Sequence, residues 1–321
     1  MVRIKILSSA ILLIAAQSLF GQESRLYSEI QQVKKANVNF TNIAFQEVVA
    51  DTAILKEFHN PNEVLFFEPL SNLQISRGTK AIEMVIPMKT SNITLELVEV
   101  PDDYYNYQVV TSSGDTLPAN RNIRCFRGAV KGKENSLVAI TLYNNEAVGF
   151  VIADKNTFEL VKDKSSGKHL FYNAKNLRTR ALGNFGTMAD LFAPYDSSAR
   201  QSNTNKQGVG GTRGVAPIGK KVYFYVETAY DIYAGKGADT NAVKKYVDDL
   251  FFQVNTLFFN EGIETAIKET YIWTSDDPNP PNNYPYYNIW AIQLADFRAS
   301  RTWNSTGLNG DLGILLSFNR N

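Results

Sequence analysis

The chain has 321 residues, and its 33 basic and 32 acidic side chains nearly cancel. That balance leaves no electrostatic footprint for nucleic acid or for an anionic membrane surface. A hydrophobic content of 44% supports packed cores, and the single cysteine, Cys125, excludes an internal disulfide. One Cys and two distant histidines, His59 and His169, cannot assemble a Cys/His zinc cluster. His59 sits in HNPNE, a turn, and His169 follows SSGK, so both read as exposed loop histidines.

The first residues read as a secretory signal peptide. Arg3 and Lys5 form a basic region, Ile6 to Ala16 is apolar apart from Ser8 and Ser9, and small residues follow at Ala16, Ser18 and Gly21. Cleavage is expected after Gly21, with Ser18 as the other site. An N-terminal membrane anchor is the alternative, for which the apolar stretch is short against a span of roughly 20 residues. No later stretch is long and apolar enough to span a bilayer.

Ser24 to Ala36 has Leu26, Ile30 and Val33 spaced for one helical face. From Glu63 to about Leu160 the pattern turns strand-like: VLFFEPL, AIEMVIPM, NITLELVEV, YNYQVVTSS, SLVAITLYN, AVGFVIADK and TFELVKD, each bounded by turn residues. This predicts an antiparallel β-domain over residues 22–195, a sandwich or curled sheet. Residues 196–217, DSSARQSNTNKQGVGGTRGVAP, hold almost nothing that could be buried and read as a flexible, protease-exposed linker.

After the linker, α and β patterns alternate. KVYFYVETAY is a strand with Val222, Phe224 and Val226 on one side, and Thr240 is a candidate N-cap. The following helix carries Val243, Tyr246, Val247, Leu250, Val254, Leu257 and Phe258 in one stripe, suited to a sheet face. IETAIKETYIWT is a second strand, SDDPNPPNNYP a proline-broken turn, NIWAIQLADFRASRTW a second helix and GILLSF a third strand. Three strands and two helices in this order imply a largely parallel sheet, giving an α+β chain overall.

Two stretches carry a resemblance. CFRGAVKGKENSLVAITL, a hairpin about the KGKEN turn, is similar to the propeptide of the adamalysin or reprolysin metallopeptidases, a metzincin family. The matching positions are Phe126, Gly128, Val130, Gly132, Ser136, Val138 and Gly149. The block after the linker resembles the front half of that family's catalytic domain: Tyr271, Ile272, Trp273, Thr274 and Asp277 match its strand ending in Trp-Thr, and Asp311, Leu315 and Leu316 its third strand. The two occur in the family's order and together span roughly 220 of the 300 residues left after signal-peptide removal.

The resemblance implies an N-terminal antiparallel β propeptide domain followed by a partial α/β metzincin-like catalytic domain over 218–321, of three strands and two helices. It implies a Zn²⁺-dependent endopeptidase acting on protein or peptide substrates, with the propeptide folding against the catalytic domain in cis. The family's zinc helix, HExxHxxGxxH, puts two imidazoles one turn apart on one metal, with a glutamate as general base. No such motif occurs here, so no catalytic residue and no zinc ligand is assigned, and the chain as given is expected to be inactive. A gene extending past Asn321 is expected to supply the motif within roughly 30 to 60 residues.

The resemblance also frames three candidates. Cys125 is a candidate latency thiol, although the family's thiol comes later in the propeptide; its second cysteine, near the end of the next strand, is replaced by Tyr143. Asp311 is a candidate calcium ligand, but Lys221 and Val222 stand where the first strand would supply a glutamate. Arg213 is the candidate processing site. Asp276 and Asp277 adjoin a proline turn, Glu261 and Glu264 lie at a helix-to-strand junction, and Asp248 and Asp249 fall on the polar helix face; none has a spacing that demands acid–base chemistry. The alternative function is a non-enzymatic secreted binding or adhesion protein, using the aromatic clusters YYNY (104–107) and NYPYYNIW (283–290).

Overall fold

The computed structural model describes residues 3–4, 24–178, 221–275 and 309–319, apart from positions 72, 74, 90, 91, 102, 103, 105, 119–121 and 144. The signal-peptide pattern at 1–21, the linker with Arg213, Asp276 and Asp277, the aromatic cluster at 283–290 and the second predicted helix lie outside those residues, but for Arg3–Ile4, a strand pair with Phe318–Asn319.

Helix α1 (Arg25–Lys35) precedes strand β1 (Phe40–Glu47). Then follow β2 (Leu65–Pro69), β3 (Ala81–Ile86), β4 (Ile93–Glu99) and the short pair β5 (Gln108–Thr111) and β6 (Thr116–Leu117). The N-terminal part continues with β7 (Ile123–Val130), β8 (Leu137–Tyr143), β9 (Glu146–Ala153), β10 (Asn156–Lys162) and β11 (His169–Asn173). The second part holds β12 (Lys221–Thr228), α2 (Tyr230–Gly235), α3 (Thr240–Asn260), β13 (Glu264–Ile272) and β14 (Leu312–Leu316).

Nine of these strands close into a barrel in the order β9-β10-β11-β2-β1-β3-β4-β7-β8. This corrects the expected antiparallel sandwich or curled sheet. Strand β1 pairs in parallel with β3, so the barrel is mixed, and β8 pairs with β9 so that no edge remains. Closure removes the unpaired edges that an open sheet would expose. The interior is filled by Phe67, Met84, Leu95, Leu97, Phe126, Val138 and Phe171, among others.

The turns match the residues that form them. Asp154 and Lys155 both have positive φ (51° and 63°) in the two-residue connection from β9 to β10, the backbone of a tight hairpin. Gly128 and Gly149 have another reason: a Cβ on Gly128 would lie 2.0 Å from the Glu96 carbonyl oxygen, and one on Gly149 1.8 Å from that of Ala139. These two matches to the family pattern are therefore set by close strand approach.

The second correction concerns the expected stand-alone α/β piece. Its three described strands are indeed parallel, with β12 between β14 and β13. The sheet, however, has five strands in the order β14-β12-β13-β5-β6. Strand β5 leaves the N-terminal part and pairs in parallel with β13, from Gln108 opposite Glu269 to Thr111 opposite Ile272. The described chain is thus mostly β, with three labelled helices and the single turn Thr52–Leu55, and does not divide into an antiparallel β unit followed by a self-contained α/β unit.

Helix α3 lies between the two sheets. Asp239 caps it, its side chain accepting from the Asn241 N–H at 2.8 Å, rather than the predicted Thr240. Barrel residues Ile123, Cys125, Leu137, Ala139 and Phe150 share one apolar cluster with Val243, Val247, Phe251 and Phe252 of α3 and Phe224, Val226 and Ile267 of the five-stranded sheet.

Gly149→Ala should destabilise the barrel by about 3 kcal/mol or more, since backbone and not a flexible side chain occupies the space. Gly78→Ala, where nothing lies within 4 Å, should shift stability by no more than about 0.5 kcal/mol. Urea midpoints of the two variants check this.

Candidate functional site

A set of buried ionisable groups lies where α3 meets the barrel and the five-stranded sheet. Lys244 and Asp248 are one helical turn apart on α3, with side chains only 3% and 1% exposed. Lys244 Nζ donates to Asp248 Oδ2 at 2.9 Å and Oδ1 at 3.2 Å. Tyr107, which leads into β5, donates its hydroxyl to Asp248 Oδ1. The ammonium also lies 4.4 Å from the centre of the Tyr107 ring. This overturns the placing of Asp248 on a polar, solvated face.

Every acid in the cluster is pushed toward its protonated form. Burial raises Asp248, against the pull of Lys244, and burial and then Asp248 raise Tyr107 well above the usual phenol range. Cys125 faces the same region, 4.0 Å from Thr141 Oγ1, which is also its register partner on β8; burial and then Asp248 raise its thiol. Tyr143, which holds the place of the family's second cysteine, is opposite Ile123. Tyr107, Cys125, Asp248, Phe252 and Asn255 line a cavity of about 20 Å³, enough for one water-sized group.

A second tie runs beside the first. Lys245 donates to Asp249 at 2.6 Å and to Glu146 of β9 at 3.2 Å, bridging α3 to the barrel. Burial pushes the Asp249 carboxyl up to about 6, with Lys245 pulling it down and Glu146 and Asp248 adding to the rise. Asp249, its side chain 15% exposed, is thus largely covered and paired and not part of a solvated face. At the other end of α3, Arg25 lies 3.9 Å from the centre of the Phe259 ring and Arg127 3.2 Å from it, while Arg127 holds Glu29 through two 3.0 Å bonds.

The tip between β5 and β6 grips the end of β13. The Ser112 N–H donates to the Ile272 carbonyl at 2.9 Å, and its hydroxyl oxygen accepts from the Thr274 N–H at 2.9 Å. Trp273 in turn donates Nε1–H to Glu227 Oε1 at 2.6 Å, and the Tyr225 hydroxyl donates to Oε2 at 3.0 Å. The Tyr271–Thr274 stretch singled out in the sequence is thus anchored from both sides.

The remaining candidates are dispersed. His169 is not a loop residue: it opens β11, is buried, and its Nε2 accepts from the Ala147 N–H at 3.0 Å. Burial, then Lys162, lowers it to about 4. His59 is exposed and donates its backbone N–H to Asn176. Asp311 accepts from the Tyr223 N–H at 2.9 Å and returns a backbone bond to the Tyr223 carbonyl, tying the start of β14 to β12. Glu261 is exposed, and Glu264 meets Arg25 at 3.5 Å. Among the described residues no group of three His, Cys, Asp or Glu is placed to hold a metal ion. The donors do not fit zinc: one imidazole is committed to the barrel wall, the other lies in a distant turn, and the thiol is enclosed against α3.

No protein-family model matches the chain. No curated protein matches it. Among solved structures, the crystal structure of metalloproteinase-II from Bacteroides fragilis is similar with a TM-score of 0.34 and 10% identity, over 70% of this chain and 60% of that one. The chain thus spans less than two thirds of that neighbour. Among the described residues no helix is long and apolar enough to cross a membrane.

The cluster at α3 was not read from sequence. The available signal was the pair Phe251–Phe252, which widens the apolar stripe beyond one face and so requires cover on two sides.

Lys244→Met should cost about 3–5 kcal/mol, because it strands the Asp248 charge inside, whereas Lys244→Met with Asp248→Leu should recover much of that loss. A double-mutant cycle by chemical denaturation measures both. The pH dependence has two opposing parts. Asp249, raised from 3.8 to about 6, contributes stability that is present below 3.8 and lost as pH rises through 6. His169, lowered from 6.5 to about 4, contributes stability that is present above 6.5 and lost as pH falls through 4. Between pH 6.5 and 4, His169→Gln should therefore gain stability on acidification relative to the unaltered chain, and Asp249→Asn should lose it; midpoints measured across that range check the signs.

Proposed function

We propose that the chain is a non-catalytic portion of a secreted zinc-dependent metalloendopeptidase precursor, in which the barrel holds the parallel sheet in place. The carrying observation is that the barrel segment supplies β5 to that sheet and fastens the end of β13 through Ser112. Support comes also from the order of the two reprolysin resemblances along the chain and from the signal-peptide pattern at its start. Protein or peptide substrates follow from the same resemblance. No described residue receives a catalytic step: the acids of the joint are raised, the thiol is enclosed, and the imidazole donors lie apart.

A second reading is a non-enzymatic secreted binding protein. It is favoured by the commitment of His169, Cys125 and the buried carboxylates to structural contacts. Of the YYNY cluster, Tyr107 is consumed by the joint, and Tyr104 packs against the same apolar cluster.

The 321-residue chain, purified and dialysed against zinc, should retain no stoichiometric metal and should not cleave casein. A longer chain translated along the same reading frame should do both. Stoichiometric zinc on the 321-residue chain would overturn the placing of the metal; a longer chain with neither property would leave the binding-protein reading in possession.

A further inference from the structure

We infer that the described residues of 24–178, on one side, and of 221–275 with 309–319, on the other, form one non-covalent body whose integrity does not depend on the peptide between 178 and 221. The two pieces share a hydrogen-bonded ladder, β5 on β13, in which the first contributes an edge strand that the second lacks. They share one apolar cluster, with Ile123, Leu137 and Phe150 of the barrel against Val247, Phe251 and Phe252 of α3. They also share a polar lock, because Tyr107 of the first piece satisfies Asp248 of the second inside that cluster. Lys245–Glu146 and Ser24–Asn260 (2.9 Å) add contacts at either side.

Separation would expose the outer face of β7–β9 and one side of α3 together. It would also leave Asp248 with Lys244 alone and open the β13 edge to water. Surfaces of that kind are those of an obligate interface and not of a loosely tethered pair. Cutting the chain between 178 and 221, at Arg213 for example, therefore opens the covalent connection without releasing either piece. The partner that the 104–117 segment fits is a parallel strand edge next to a buried lysine–aspartate pair, and β13 with α3 supplies it. This inference does not rest on the proposed enzymatic reading.

The test uses the full chain with a specific protease site introduced within 196–217. After complete cutting, both pieces should co-elute as one species in size exclusion at micromolar concentration and melt in one transition. Elution as two species, or precipitation of either piece after cutting, would overturn the inference. Tyr107→Phe in the same chain removes the hydroxyl's bonds to Asp248 and from Lys244 and little volume. Its cut form should bind about tenfold or more weakly, read from dilution-induced dissociation. An unchanged dissociation constant would show that the Tyr107–Asp248 contact is no part of the docking. Neither outcome depends on whether a longer chain binds zinc.

Discussion

Helix α3 has more apolar surface than one layer can cover, and this constraint organises the molecule. Val243, Val247, Phe251, Phe252, Val254 and Phe259 are all buried, and they spread around much more than one stripe of the helix. A single sheet can cover one side. The second side requires another apolar face, and the outward residues of β7, β8 and β9 supply it. A barrel wall with apolar residues on both faces makes sense only with such a neighbour. The all-buried pattern of β7 is the record of that double contact: Phe126 and Val130 point inward while Ile123 and Cys125 point toward α3.

Within this apolar layer the buried ions carry a different kind of information. Lys244 and Asp248 are costly to dehydrate, and an ion pair of this kind is weak evidence for stability by itself. Its geometry nevertheless admits one partner, the hydroxyl of Tyr107, which sits immediately before β5. An apolar contact would tolerate a slide of β5 along β13. The hydrogen bond from Tyr107, together with the grip of Ser112 on residues 272–274, holds the register at both ends of the strand.

The same packing sets the surroundings of the cysteine and of the buried histidine. Cys125, a candidate thiol in the sequence, and His169, read there as a loop residue, occupy barrel strands and serve as packing and as a hydrogen-bond acceptor. Their environments push the thiol up and the imidazole down, so that both stay neutral. Burial thereby favours assembly and opposes nucleophilic or metal-binding roles for these groups.

Local structure was legible in the amino-acid order. Alternating and β-branched runs marked seven of the strands, the long helix followed from its three- and four-residue spacing, and the β12–α3–β13 succession with a third parallel strand was found as expected. Strand β11 was missed because its run, HLFYN, is short and buried on both faces, and β1 because FTNIAFQE mixes polar residues into a run beside turn-rich sequence. What the tertiary structure alone decided was partnership: that β1 runs parallel to β3, that β11 meets β2 across the barrel, and that β5, with β6, leaves the barrel strands to join β13. The physical reason is that side-chain periodicity encodes which face of a strand is buried. The backbone N–H and C=O groups that choose a neighbour are the same in every strand, so only the packing of the whole chain selects among them.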